Sequence, residues 1–322
     1  MRSTLKVILF ATLLVSPGWG FFGHQKINRL AVFTLPPEMI GFYKKNIQYI
    51  SEASVNPDRR RYAVPDEAPR HYLDTEEYGD SVLTKLPKYW KQAVERYGED
   101  TLKAHGILPW NIARMCNQLK ESFLIINPEK ILRNSAELGH YVADANVPLH
   151  TTHNYNGQLT GQNGIHALWE SRLPELFFDK YDFFVGRATY LEDPQQAAWD
   201  AVRKSYSLVD SVLGEEKMLT ATATSKFNFE TKGRQTIKVY SFPFSRSYHE
   251  KLAGMVERQL RASIKMTGDL WYTAWVDAGQ PDLKHLIDYK PTEEELKRRE
   301  EELRKWKERN LKTRDHEESE EY

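Results

Sequence analysis

His140-Tyr-Val-Ala-Asp144-Ala-Asn-Val-Pro-Leu-His150, followed fifteen residues later by His166-Ala-Leu-Trp-Glu170, is the stretch from which this chain is read. Each part opens with a His and a carboxylate four residues apart. On a helix that spacing puts both side chains on one face, about one turn apart, where they can grip a single cation. The two motifs place three imidazoles and two carboxylates within thirty-one residues, in a chain with only ten His among 322 residues. An exposed i,i+4 ion pair would have the same spacing, but the neighbours Leu138, Tyr141, Val142, Val147, Leu168 and Trp169 are apolar. The face is therefore expected to be buried, and buried charges are paired or bound to metal. A metal site built on helices is the first expectation.

Lys plus Arg equals Asp plus Glu at 45 each, so no global field draws in nucleic acid or anionic lipid. The chain opens Met1-Arg-Ser-Thr-Leu-Lys, runs apolar from Val7 to Val15, then meets Ser16-Pro17-Gly18. A basic start, a short apolar run and small residues before a cut describe a secretory signal peptide over residues 1–18. A cut after Gly20 satisfies the same rule. The apolar run is too short to span a bilayer comfortably, and export to the periplasm or the medium is expected, with no transmembrane segment in the mature chain. Cys116 is the only cysteine, so no intrachain disulfide can form. It reads as a small buried hydrophobe.

The periodicity predicts an all-α protein with one multi-helix domain over residues 19–290. A helix from His24 to Phe33 is ended by Pro36-Pro37. Pro109 opens another, with Ile112, Met115, Cys116, Leu119, Phe123 and Ile126 on its apolar face. A third runs from Pro128 to Asn146 and carries His140 and Asp144, and a short fourth carries His166 and Glu170. One helix is expected from Pro194 past Val212, and a long one from about Ser245 to Asp277. Lys226 to Tyr240, alternating around Lys232-Gly233, reads as a hairpin. From Pro291 the composition becomes charged. Thr292-x-x-Glu295 is a capping box, and pairs such as Glu293/Lys297 and Glu300/Arg304 point to a solvated helix over 291–322 that frays into an acidic end. No protein partner is evident for it.

Other residues complete the metal constellation. Asp58 follows Asn56-Pro57, and His71 lies in Arg70-His71-Tyr72-Leu73-Asp74. Trp19 would begin the mature chain, five positions before His24. A free α-amino group has a pKa of roughly 7.7–8.0 and can be a neutral ligand near pH 7. The ordered series Trp19, His24, Asp58, His71, His140-x3-Asp144-x5-His150 and His166-x3-Glu170 resembles the zinc-dependent phospholipases C of bacteria and the related fungal single-strand nucleases. It spans about half of the mature chain.

That resemblance implies three zinc ions. Asp58, His71, His140 and Asp144 would hold one, and His150, His166 and Glu170 a second. The third would sit on the Trp19 amino nitrogen and carbonyl with His24 and Asp144, making Asp144 a bridge. Donors without thiolate suit hydrolytic zinc, and the reaction class implied is phosphoester hydrolysis by metal-activated water. Asp58 would orient that water, and Arg61 would clamp a phosphate, unless Arg59-Arg60-Arg61 is merely an exposed basic turn.

Two substrate classes stay open. Glu170 and the short gap from His150 to His166 look like the phospholipases, while the Trp19-to-His24 step and Arg61 look like the nucleases. Phe22 stands where choline-specific phospholipases place a Glu. A phospholipid is the leading expectation, single-stranded nucleic acid or a 3′-nucleotide the alternative, and a helical surface protein that zinc merely stabilises a third.

Overall fold

The computed structural model describes residues 21–79, 86–232, 235–309 and 311. Trp19 and residues 1–18, expected to be a signal peptide, lie outside the described residues, as does the acidic end of the tail. The described residues are helical apart from one hairpin, so the fold class is all-α. None of their helices is long and apolar enough to cross a membrane.

The frame is a helical hairpin. α7 (Leu108–Leu124) and α8 (Pro128–Ala145) turn back on each other through Asn127, whose side chain accepts from the Lys130 amide at 2.9 Å. Pro128 stands at the first helical position, where its missing N–H costs nothing. Before this hairpin come α1 (Phe21–Ala31), α2 (Pro37–Lys45), α3 (Ile47–Ala53), α4 (Asn56–Arg60), α5 (Trp90–Tyr97) and α6 (Glu99–Ala104). After it, α9 (Ile165–Ala167), a π-helical turn (Leu168–Arg172) and α10 (Leu173–Phe177) run on without a break. α11 (Pro194–Tyr206), α12 (Val209–Thr222), α13 (Phe242–Lys251) and the long α14 (Met255–Asp277) close the body.

One core lies among α7, α8, α11 and α14, around Trp110, Trp199, Trp271 and Tyr43. Three of these four side chains satisfy their polar tips: Trp271 Nε1 donates to the Ser135 carbonyl at 3.0 Å, Trp199 Nε1 donates to the Lys88 carbonyl at 3.1 Å, and the Tyr43 hydroxyl meets Ser135 Oγ at 2.8 Å. A second core, with Leu149, Leu168, Trp169, Val256 and Ile264, lies against the ligand-bearing turns. α1 crosses α8 closely because position 139 has no side chain. A Cβ there would collide with the side chain of Asn28, which instead donates to the Ala136 carbonyl at 2.9 Å. This approach brings His24 of α1 over His140 of α8, their rings stacked at 4.1 Å.

Several expected boundaries shift, the first helix running Phe21–Ala31 where His24 to Phe33 was expected. The helix from Pro194 ends at Tyr206 and restarts at Val209, because Ala198, Trp199 and Val202 serve the first core while Val212 serves the second. One straight helix could not face both. The helix expected from Ser245 to Asp277 is broken at Ala253 and Gly254, both at positive φ. The helix expected to end at Asn146 ends at Ala145. The hairpin forms as expected, β1 (Phe227–Lys232) pairing antiparallel with β2 (Gln235–Tyr240), Phe227 opposite Tyr240.

The charged C-terminal segment departs most from expectation. α15 (Glu293–Trp306) starts with the anticipated capping box, but it is docked rather than free in solvent. Its Arg298 and Arg299 pair with Glu129 of α8, Glu302 pairs with Arg133 at 3.1 Å, and Trp306 is buried.

Candidate metal centre

Eight of the nine expected ligand residues are described, and the fold brings all eight together. His24, Asp58, His71, His140, Asp144, His150, His166 and Glu170 are all buried. They arrive from several features of the frame: His24 from α1, Asp58 from α4, and His71 from the 3₁₀ turn Ala68–His71. His140 and Asp144 share one face of α8. His150 stands on the turn Pro148–Thr151, where Pro148 stops the helix. His166 lies in α9 and Glu170 on the π-helical turn, a local widening that recurs at functional sites.

Four donor atoms form the first group. His71 Nδ1 and His140 Nε2 stand 3.0 Å apart. Asp144 Oδ2 lies 3.0 Å from the former and 3.3 Å from the latter, and Asp58 Oδ1 lies 3.5 and 3.6 Å from the same two nitrogens. A tetrahedral zinc with N and O ligands at about 2.0–2.2 Å sets its donors about 3.3–3.6 Å apart. The spacing thus suits one small dication. In the second group Glu170 Oε2 lies 2.7 Å from His166 Nε2 and 3.3 Å from His150 Nε2. Three protein donors leave a coordination position for water or substrate.

A third group overlaps both. His24 Nε2 faces Asp144 Oδ1 at 3.6 Å, Glu170 Oε1 at 3.4 Å and Asp58 Oδ2 at 3.9 Å. His24 Nε2, Asp144 Oδ1 and Asp58 Oδ2 are buried without a hydrogen-bond partner. Buried polar atoms are rarely left so, and three of them aimed at one another fit the donor set of a cation. Both Asp144 and Glu170 therefore present one oxygen to each of two groups. For Glu170 this extends the sequence-based grouping, which placed it only with His150 and His166.

The electrostatics agree. Burial pushes the Asp144 carboxyl up, but the imidazoles of His140 and His150 hold it well below the usual carboxylate range. Glu170 is likewise pushed up by burial yet held well below that range by His150, His166 and His24. Burial pushes the His24 imidazole down, but Glu170, Asp144 and Asp58 raise it to about 9. Ionised carboxylates buried at one point require positive charge. Protons on imidazole can supply it, and so can a metal that displaces them.

Two imidazoles are oriented by backbone. His150 Nδ1 meets the His71 carbonyl at 2.5 Å and His166 Nδ1 meets the Tyr155 carbonyl at 3.2 Å. If each donates there, Nε2 is left with its lone pair directed into the cluster, as metal-bound imidazoles are normally held. Among the described residues, four groups of His and carboxylate atoms close enough to share an ion draw on these eight side chains and no others.

The sequence matches no family model and no curated protein. Among solved structures, the chain is similar to the alpha-toxin of Clostridium perfringens from the avian strain SWCP, with 13% identity and a TM-score of 0.46 over 82% of this chain and 65% of that one. It is similar also to the alpha toxin of Clostridium absonum, with 13% identity and a TM-score of 0.43 over 80% of this chain and 65% of the toxin. The chain thus spans about 65% of these toxins' length.

Arg61 is not part of an exposed basic turn. It is 2% exposed, its Nη1 lies 3.6 Å from Asp58 Oδ1, and its Nε and Nη1 lack hydrogen-bond partners. Phe22, two residues before His24, packs edge-on against Phe178 at 5.3 Å, and Phe178 against Phe183 at 4.3 Å. Tyr72 and Asp74 are buried, whereas His153 is exposed and paired with Glu77.

Four residues that support the site were not singled out from sequence: Arg60, Glu67, Glu137 and Tyr141. Arg60 is bidentate to Glu137, at 2.7 and 2.9 Å, and to Glu67, at 2.9 and 3.2 Å. Its Nη2 also donates to the Tyr141 hydroxyl at 3.0 Å, and that hydroxyl donates to Glu67. Glu67 in turn faces His71 Nε2 at 3.6 Å. The i,i+4 step from Glu67 to His71 was visible in the sequence. The step from Arg60 to Glu137, 77 residues away, was not.

Proposed function

We propose that this chain is a zinc-dependent phosphoester hydrolase that acts in the manner of a phospholipase C. The observation that carries the proposal is the buried cluster of donor atoms from Asp58, His71, His140 and Asp144, 3.0–3.6 Å apart in the pairs given above, beside a group of three donors from His150, His166 and Glu170. In this reading Asp58, His71, His140 and Asp144 hold one zinc, and His150, His166 and Glu170 a second. A third lies on His24 and Asp144, with the Trp19 amino nitrogen and carbonyl completing it in a chain cut after Gly18. When bound, the metal supplies Lewis acidity that lowers the pKa of water and offsets phosphate charge.

The chain's own groups do the rest. The ionised Asp58 carboxylate accepts a hydrogen bond from the attacking water and aligns its lone pair with phosphorus. Arg61, always protonated and with two unpartnered N–H positions, holds a phosphate oxygen. Water attacks phosphorus as the bond to the ester oxygen breaks, and the proton that the water gives up is taken by the leaving oxygen, so that an alcohol and a phosphomonoester result.

A lipid substrate is supported by the aromatic series Phe22, Phe178 and Phe183, which begins two residues from His24. Phe184, 83% exposed, continues it along the chain. Lys26 Nζ lies 5.2 and 5.3 Å from the Phe22 and Phe178 ring centres. An apolar surface with a cation beside it suits a headgroup boundary. Arg61 favours the second reading, a single-strand nuclease or 3′-nucleotidase on the same metals, because the resemblance implies that arginine for the nucleases. Turnover of phosphatidylcholine, single-stranded DNA, RNA and 3′-nucleotides by zinc-loaded protein tests both. Phosphatidylcholine cleavage that falls at least tenfold in Arg61→Ala is expected. Three bound zincs with no turnover of any phosphoester would mean that the metal serves only the fold.

A further inference from the structure

The charged C-terminal helix makes contacts that reach the metal cluster. At its start, Thr292 and Glu295 close the capping box and Glu295 also accepts from the Tyr289 hydroxyl at 3.0 Å. Midway, Arg298 and Arg299 pair with Glu129, and Arg299 lies over the Tyr49 ring at 4.4 Å. Past its end, Arg309 covers the Tyr62 ring at 4.6 Å, and the Leu311 amide donates to the Tyr62 carbonyl at 2.8 Å. Tyr62 directly follows Arg61.

A second connection runs through side chains. Glu302 of α15 accepts from Arg133 Nη1 at 3.1 Å. Arg133 Nε donates to Glu137 Oε1 at 3.1 Å, and the same oxygen accepts from Arg60 Nη1 at 2.7 Å. Arg60 then divides its guanidinium between Glu137 and Glu67, and Glu67 faces His71. The charges alternate along the whole series, from Glu302 at the surface to an imidazole with no exposure. Arg60, Glu67 and Glu137 are buried, so these ionic contacts are little screened by water or salt.

We infer that Glu302 and Arg133 are positioning residues for the metal centre, acting on His71 through Glu137, Arg60 and Glu67. This inference rests on the proposed reading of the cluster as a zinc site. The physical argument is competition for charge. Glu137 accepts from both Arg133 and Arg60, so the pull of Arg133 on its Oε1 sets how firmly Arg60 is held there. Arg60 then shares the Glu67 carboxylate behind His71 Nε2 with Arg70, whose Nη1 donates to it at 2.7 Å, and with the Tyr141 hydroxyl, so a shift of Arg60 changes the balance of contacts that positions it. Glu302 keeps Arg133, whose side chain is 37% exposed, from turning away into water. Partly exposed pairs of this kind contribute little to stability by themselves, so an effect on metal binding is separable from an effect on folding.

The test uses full-length chain, zinc alone as the probe, and release to a chelator as the readout, with the melting temperature of the metal-free protein measured alongside. Glu302→Gln and Arg133→Gln are expected to release one zinc per chain roughly three- to tenfold faster than wild type, the scale of coupling between connected sites. Their metal-free melting temperatures are expected to stay close to wild type. Arg298→Gln breaks a contact of the same helix outside the series and is expected to leave zinc release unchanged. In a Glu67→Gln background the Glu302→Gln effect is expected to vanish. Zinc release from Glu302→Gln indistinguishable from that of Arg298→Gln, or an undiminished effect in the Glu67→Gln background, overturns the inference while the zinc reading stands. A wild-type chain that takes up no zinc overturns the zinc reading itself, and the inference with it.

Discussion

Asp144→Asn is the most discriminating single change at the centre. The two Asp144 oxygens serve different groups, Oδ2 facing His71 and His140 and Oδ1 facing His24. The amide keeps the shape but loses the charge, and its NH2 cannot be a ligand. A site that binds only the folded chain stabilises it by about 4 kcal/mol when zinc stands a thousandfold above its Kd. If Asp144 serves two such sites, they would carry about 8 kcal/mol in the wild type under that condition. At roughly 2 °C per kcal/mol for a chain of this size, the loss is about 15 °C in melting temperature. The assay is the difference between melting with zinc and with EDTA, for wild type and variant, which cancels any defect common to both metal states. In EDTA the variant should lie near the wild type, because it also relieves repulsion among Asp144, Asp58 and Glu170. A variant whose zinc-induced shift equals that of wild type would refute the bridging role of Asp144.

The remaining predictions address single contacts. His166→Ala should remove about one zinc per chain, whereas Glu170→Ala should weaken a second as well, because its Oε1 faces His24; equal zinc losses by metal analysis would show that Glu170 serves one group only. Gly139→Ala should destabilise by about 1–3 kcal/mol, the range for overpacking, because the new methyl meets Asn28; unchanged urea unfolding would show that α1 moves away freely. Glu137 is pushed up by burial but held below the usual glutamate value of 4.5 by Arg60 and Arg133. Its folded form therefore binds its proton later than the unfolded chain does, and its contribution is present above pH 4.5 and lost as the pH falls through the depressed value. Glu137→Gln should flatten that acid limb in metal-free protein, and an unchanged slope in urea titrations from pH 5 to 3 would contradict it.

Much of the centre was legible because ligand spacing is a local property. His140 with Asp144, and His166 with Glu170, share a helical face by the 3.6-residue period alone, and Pro148 fixes where the helix must give way before His150. The capping box at Thr292, the hairpin around residue 233 and the burial of Cys116 and Trp271 are likewise written within a few residues of chain. Breaks such as Ala253-Gly254 were missed because a continuous apolar stripe outweighed one glycine in the pattern.

What tertiary structure decided is everything that depends on which helix crosses which. Glu170 turning an oxygen toward His24 requires α1 to lie across α8, and that crossing depends on the missing side chain at Gly139. Arg61 could be read as a phosphate clamp or as one member of an exposed basic run, and only packing shows that it is buried beside Asp58. Arg60 meets Glu137 and Glu67 only because α4 and α8 are neighbours in space. The C-terminal helix shows the limit most plainly. Its i,i+4 charges describe a solvated helix whether or not it docks, since complementary charges on a distant surface leave no periodic trace in the segment itself. Spacing along the chain sets which side chains can share a face, whereas only the packed structure sets which faces meet.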